Sequence, residues 1–209
     1  MIGVMDYGMG NLHSVCNALH HIGVPCEIFR DPDMCGTYTG LILPGVGAFP
    51  DAMRALEASG LADRVRTCAG AGQPLLGICL GMQLLFEEST EFGTTKGLGL
   101  IPGRVTRIRA PGLKIPHMGW NSLHVWTPDD PLASHIREGD YVYFVHSYKA
   151  ETGTENLVAS TEYGERIPAL VRTPGLPVYG AQFHPEKSHE TGLGILKDFT
   201  SLCGEVPNP

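Results

Sequence analysis

The sequence has no cluster of lysine and arginine, no Cys-x-x-Cys pair, no Gly-Lys-Ser/Thr triplet and no apolar run long enough to span a bilayer. Each absence removes a class of function. The formal charge is −7 and the cations are scattered, so there is no positive face for a polyanion and nucleic acid is not an expected partner. No basic stretch precedes the first apolar residues, and Asp6 interrupts them early. Neither a signal peptide nor a membrane span is expected, and the cytoplasm is the expected location. Six cysteines in a chain of 209 residues read as free thiols, because a chain this long builds a core without disulfides. Cys16, Cys26, Cys68 and Cys203 sit in apolar surroundings and read as small core residues, and Cys35 lies in a turn-like stretch. His20, His21, His117, His124, His135 and His189 show no metal-ligand spacing. Neither a metal nor a cofactor is expected.

The missing triplet matters for "DYGMGNL", Asp6 to Leu12, a turn between an apolar run and a helical pattern. A dinucleotide loop needs a third glycine three residues after the second, and here Gly8 and Gly10 are followed by His13. Without Gly-Lys-Ser/Thr it is not a P-loop either. The plain reading is a tight turn capped by Asn11.

The first half alternates short apolar runs with helical patterns: Ile2–Met5 then Leu12–His21; Cys26–Phe29; Leu41–Leu43 then Ala52–Ser59 and Leu61–Ala69; Leu75–Ile78 then Leu80–Glu87. That alternation predicts βαβ units, a parallel sheet covered by helices. From Gly103 the segments Val105–Ile108, Tyr141–Val145, Leu157–Ser160, Ala169–Arg172 and Val178–Phe183 read as strands between Gly, Pro and Asp turns. Only Gly192–Leu202 reads as helix there. The expected class is α/β, with a mostly parallel central sheet and a β-rich antiparallel addition. A single domain over residues 1–203 is expected, followed by a frayed tail, 204–209.

"PLLGICLGMQLLF", Pro74 to Phe86, carries a strand into Gly77-Ile78-Cys79-Leu80-Gly81 and then a helix. This is a G-x-nucleophile-x-G elbow with cysteine in place of serine. A sharp turn exposes the nucleophile, flanking glycines relieve clashes, and the following helix start favours a thiolate. The alternative is a buried cysteine between two packing glycines. "GAQFHPEKS" supplies a base and its orienter: alternation beyond a strand at Val178–Phe183 puts His184 and Glu186 on one face across Pro185. Acyl transfer also needs oxyanion donors. The Leu80 N–H is one candidate, and "LILPGVGAF" offers Val46 or Gly47 in a loop that could equally just turn the chain.

These stretches resemble the class I glutamine amidotransferases, whose glutaminase domain carries a Cys-His-Glu triad. "DYGMGNLHSV", "LPGVGAF", "GICLGMQLL", "GLGLIPG", "KIPHMGWN", "YFVHSY" and "QFHPEKS" together narrow the resemblance, from Met1 to about Phe199, to the glutaminase subunits of imidazole glycerol phosphate synthase. The resemblance implies a three-layer, flavodoxin-like fold. It implies Cys79 as nucleophile, His184 as acid and base, Glu186 as orienter, and an oxyanion strand at Gly45, Val46 and Gly47 opposite Leu80. Gln83 would contact L-glutamine, and Ser147 and Tyr148 would border its amino-acid head. It further implies a heterodimer with a HisF-type (β/α)8 cyclase of histidine biosynthesis, which would use the ammonia to make imidazole glycerol phosphate. By the same analogy Tyr7, Gly10, Asn11, Trp120, Tyr143 and Lys187 would face that partner. A related glutaminase serving another synthase and a free-standing cysteine hydrolase or peptidase remain the competing readings.

Overall fold

The computed structural model describes residues 1–205. Four short strands, β1 (Ile2–Met5), β2 (Cys26–Phe29), β3 (Gly40–Leu43) and β4 (Leu75–Ile78), form a parallel sheet in the order β2-β1-β3-β4. Helices α1 (Leu12–His21), α2 (Phe49–Ala58) and α3 (Leu61–Gly70) connect them. β1, β3 and β4 are buried along their whole length, which explains their continuous apolar runs. Their side chains divide by alternation. Ile2, Val4, Ile42, Leu76 and Ile78 join α1 in one core layer, and Met5, Leu41, Leu43 and Leu75 join α2 and α3 in the other.

The elbow helix is shorter than its sequence pattern suggests. The stretch expected as one helix, Leu80–Glu87, is a helix α4 only over Leu80–Leu84, and the chain then enters strand β5 (Phe86–Ser89). β5 leads to β6 (Thr95–Lys96) and β7 (Ile101–Arg107), which with β11 (Tyr148–Glu151) make a small four-stranded sheet in the order β11-β7-β5-β6. A ribbon of β8 (His117–Ser122) and β10 (Tyr141–His146) stands apart, and β9 (His124–Val125) edges the main sheet. β12 (Leu157–Glu162), β13 (Arg166–Arg172) and β14 (Val178–Ala181) complete that main sheet antiparallel to one another, while β14 pairs β4 in parallel.

Helix α5 (His189–Leu202) closes the layer shared with α1, through Ile195, Leu196 and Phe199. The result is helices on both faces of a mostly parallel sheet with an antiparallel extension, as the sequence predicts. Of the expected frayed tail, only Gly204 and Glu205 are described. Glu205 accepts a hydrogen bond from Thr39 Oγ1 at 2.8 Å, and residues 206–209 lie outside the described residues. Among the described residues no helix is long and apolar enough to cross a membrane.

Candidate active site

β1, β3, β4 and β14 run parallel, so their carboxyl ends share one edge of the sheet, the place where sites collect in open α/β folds. Cys79 leaves β4 there with φ 56° and ψ −110°, a backbone conformation that costs a non-glycine residue of order 1–3 kcal/mol. The flanking glycines make the turn possible: a Cβ at Gly77 would lie 2.6 Å from the Gly81 carbonyl oxygen, and one at Gly81 would run into the Leu43 carbonyl. The strained peptide is bracketed, since the Cys79 N–H donates to the Ala181 oxygen at 2.7 Å and the Gln83 N–H to the Cys79 oxygen at 3.3 Å.

β14 ends at Ala181 rather than at the expected Phe183, and Glu186 sits in a 3-10 turn, Pro185–Lys187. His184 and Glu186 are therefore brought together by a turn, not by strand alternation. Glu186 Oε1 lies 2.8 Å from His184 Nδ1, and both side chains are buried. The backbone here is stitched to β10: the His184 N–H donates to the Tyr143 oxygen at 3.0 Å, and Ser188 Oγ donates to the His184 oxygen and accepts from the Tyr143 N–H. Burial alone would strip the proton from His184, but the hydrogen bonds and charges of Cys79 and Glu186 outweigh it and hold the pKa up at about 9.

A cavity of about 340 Å³ opens on Cys79 and His184. Its walls include Val46, Gly47, Leu80, Gln83, Ser147 and Tyr148, which the sequence singles out, and also Glu91, Pro116, Val145 and His146, which it does not. Gly45 does not reach the cavity. It packs behind the wall, where a Cβ would meet Gly81 N at 2.7 Å and Tyr7 Oη at 2.8 Å. Leu80 is the first residue of α4, where a backbone N–H lacks an intrahelical partner. Gln83 is buried, and its Nε2 is committed to the Tyr148 oxygen and to Gln182 Oε1, both at 3.0 Å. Its own Oε1 is left as the group that accepts.

Glu91 is the notable residue that motif reading misses. Its Oε2 accepts from the Phe49 N–H at 2.8 Å, and burial raises its carboxyl above the ordinary range. It follows β5, in a stretch with no local motif, so only the folded chain reveals it.

The residues expected to face a partner separate into two groups. Tyr7 is buried, and its hydroxyl donates to the Pro44 oxygen at 2.8 Å. It braces the Pro44–Gly47 loop from inside and presents no ring to a partner. Asn11 occupies the cap position of α1 without making a side-chain capping bond, which removes the capped-turn reading. Gly10 packs beside Pro44, where a Cβ would come within 3.1 Å. Trp120 is 45% exposed, stacks on His189 at 4.9 Å and meets Tyr143 edge-on at 6.0 Å. Lys187 is exposed and lines a surface cleft with His189.

Residues 3–202 match the family model described as glutamine amidotransferase class-I. The "Imidazole glycerol phosphate synthase subunit HisH" of Caldanaerobacter subterraneus subsp. tengcongensis is 51% identical over 97% of this chain and 98% of that protein. The Bacillus subtilis protein of the same description is 49% identical over 98% of each. Among solved structures, one described as a glutamine amidotransferase superposes with a TM-score of 0.75 at 23% identity, covering 97% of this chain and 98% of that one. PurLQS from Thermotoga maritima gives a TM-score of 0.76 at 22% identity, covering 96% of this chain and 97% of the other. These two bear on the fold alone. The chain belongs to the class-I glutamine amidotransferase family and, within it, to the HisH subunits of imidazole glycerol phosphate synthase.

Proposed function

We propose that the cavity binds L-glutamine and that Cys79, His184 and Glu186 hydrolyse its side-chain amide for the benefit of a partner cyclase. The observation that carries this reading is a cysteine at φ 56° sharing a cavity with a buried histidine whose other nitrogen is 2.8 Å from a carboxylate. The Cys79 thiolate attacks the amide carbon. The oxyanion forms against backbone N–H groups at Leu80 and at Val46 or Gly47. His184, a cation at neutral pH, protonates the departing nitrogen, and ammonia leaves. His184 then takes a proton from water as it attacks the γ-glutamyl thioester, releasing glutamate and restoring the thiolate. Glu186 holds the imidazole orientation throughout. Glu91 offers a carboxylate to the substrate α-ammonium, Gln83 Oε1 accepts from the substrate, and Ser147 and Tyr148 border its head.

Ammonia is useful only if kept from water, where it protonates and ceases to be a nucleophile. We therefore read the chain as one glutaminase domain over residues 1–203 that delivers to a separate HisF-type (β/α)8 subunit in a heterodimer. That subunit would convert N'-[(5-phosphoribulosyl)formimino]-aminoimidazole-carboxamide ribonucleotide to imidazole glycerol phosphate and aminoimidazole-carboxamide ribonucleotide. The surface formed by Trp120, Tyr143, His189 and Lys187 suits that docking, since aromatic anchors concentrate binding energy.

Reconstitution with a candidate cyclase tests this. Both chains together should make the cyclised product from glutamine, and neither chain should do so alone. A pair that used ammonium but never glutamine would overturn the assignment. Strong unassisted hydrolysis of peptides would instead favour the peptidase reading.

A further inference from the structure

One wall of the cavity carries a hydrogen-bond chain that the triad chemistry does not use. Asn121 Nδ2 lies 3.3 Å from His117 Nε2, His117 Nδ1 lies 3.0 Å from His146 Nε2, and His146 Nδ1 lies 2.8 Å from the Tyr148 carbonyl oxygen. Both ends of this chain have a fixed sense. The Asn121 amide is oriented independently, because its Oδ1 accepts from the Ser122 N–H at 2.9 Å while Nδ2 also donates to the Glu162 oxygen at 2.9 Å. Its nitrogen only donates, so His117 Nε2 accepts. His117 must then donate from Nδ1, His146 must accept on Nε2, and His146 must donate from Nδ1 to a carbonyl that only accepts. The arrangement requires both rings neutral and both in the Nδ1–H form. Burial supports neutrality, lowering His117 to about 4 and His146 to about 3.

The far end of the chain is the significant one. The Tyr148 oxygen receives His146 Nδ1–H and Gln83 Nε2–H together, so two donors pin a peptide that lines the cavity and one of them orients the amide of Gln83. His117 is in turn held flat between Phe144, at 4.7 Å, and Tyr163, at 4.0 Å. His117 does not line the cavity, and His146 does.

We propose that His117 and His146 are positioning residues: a relay of fixed tautomers, running from Asn121 to the Tyr148 carbonyl, that sets the Ser147–Tyr148 segment and the Gln83 amide for glutamine binding. The relay acts on substrate affinity and not on the bond-breaking step. This inference rests on the reading of the cavity as a glutamine site.

Two measurements on the full chain test it. Long-range proton–nitrogen correlation spectra of the ¹⁵N-labelled protein should show His117 and His146 neutral and Nδ1-protonated at pH 7. Nε2-protonated or cationic rings would overturn the relay whatever the activity. The second measurement uses two substitutions that rank oppositely under packing and under relaying. His117→Phe keeps a ring between Phe144 and Tyr163 and loses the donor. His117→Asn loses the ring and keeps an N–H where Nδ1 stood. In the complex with the cyclase, the relay requires His117→Phe to raise the KM for glutamine about tenfold, the worth of a buried polar group left unpaired, with kcat nearly unchanged. His117→Asn should hold KM within about threefold of wild type while melting lower than the Phe variant.

If KM instead follows melting temperature, with Asn worse than Phe, the pair only packs and the proposal fails. Should the Phe variant not fold, the spectra alone decide. A wild-type complex that hydrolyses no glutamine would sink the functional reading while leaving the tautomer result to stand or fall separately.

Discussion

Two histidines border the same cavity and are driven in opposite directions. His184, at the carboxyl edge of the parallel sheet, keeps its proton to about pH 9 because a thiol and a carboxylate flank it. His146, on the antiparallel wall, is lowered to about 3 by burial, with only a carbonyl and a neutral ring to bond. Both are buried histidines, and their hydrogen-bonding partners differ. Under the proposed mechanism the first wall carries charge and moves protons while the second stays neutral, which would put the one labile histidine proton beside Cys79.

Breaking the charged side should cost most. Cys79→Ala is expected to reduce glutamine-dependent synthesis in the complex by at least about 10⁴-fold while ammonium-driven synthesis persists. Steady-state assays with each nitrogen source check both halves. Glu186→Gln leaves the geometry and removes the charge, so kcat should fall about 10²–10⁴-fold. The alkaline limb of the pH–rate profile should then move down from the wild-type position near 9.

The pH dependence of stability sharpens the contrast, because the two signs differ. His184 is raised from 6.5, so the folded chain binds that proton more tightly than the unfolded one. Its contribution is whole below about 6.5 and is lost as pH rises through about 9. His146 is lowered from 6.5, so its contribution is whole above 6.5 and is lost as pH falls toward 3. Melting curves across pH should show His184→Gln flattening the alkaline slope and leaving the acid slope in place.

Gly81→Ala pushes a methyl group into the Leu43 carbonyl and should destabilise the chain by about 1–3 kcal/mol, read from denaturant midpoints. The smallest effect expected is that of Trp120→Ala, roughly a tenfold loss of affinity for the cyclase, measured by titration calorimetry, with little change in melting temperature since the ring is 45% exposed.

The parallel half was legible almost residue by residue. β1, α1, β2 and β4 lie where the apolar runs and turn residues put them, because buried parallel strands leave unbroken apolar signatures. The triad was legible for a different reason: its residues sit in two short segments, each shaped by a local turn. In the ribbon, β10 was legible to within one residue, as Tyr141–Val145, but its partner β8 was not read as a strand. In β8 the alternation is inverted, with His117 buried and Met118 and Trp120 exposed, so "HMGWNS", legible only as part of a family motif, hides a strand that turns its histidine inward. β5 was misread because "LLF" continues the apolar run of the elbow helix, and a run cannot announce where helix becomes strand. Glu91 and His146 have partners only through the folded chain, so sequence had nothing to pair them with.

Ser188 joins the two walls. One hydroxyl accepts from the Tyr143 N–H at 3.0 Å and donates to the His184 oxygen at 2.6 Å, while the next residue, His189, lies flat against Trp120. That hydroxyl works in parallel with the direct bond from the His184 N–H to the Tyr143 oxygen at 3.0 Å, so the backbone beside the exposed aromatic stack is tied twice to the backbone that carries the imidazole. Ser188→Ala would leave no cavity larger than a hydroxyl and would keep the direct bond, so the seam should slacken without parting.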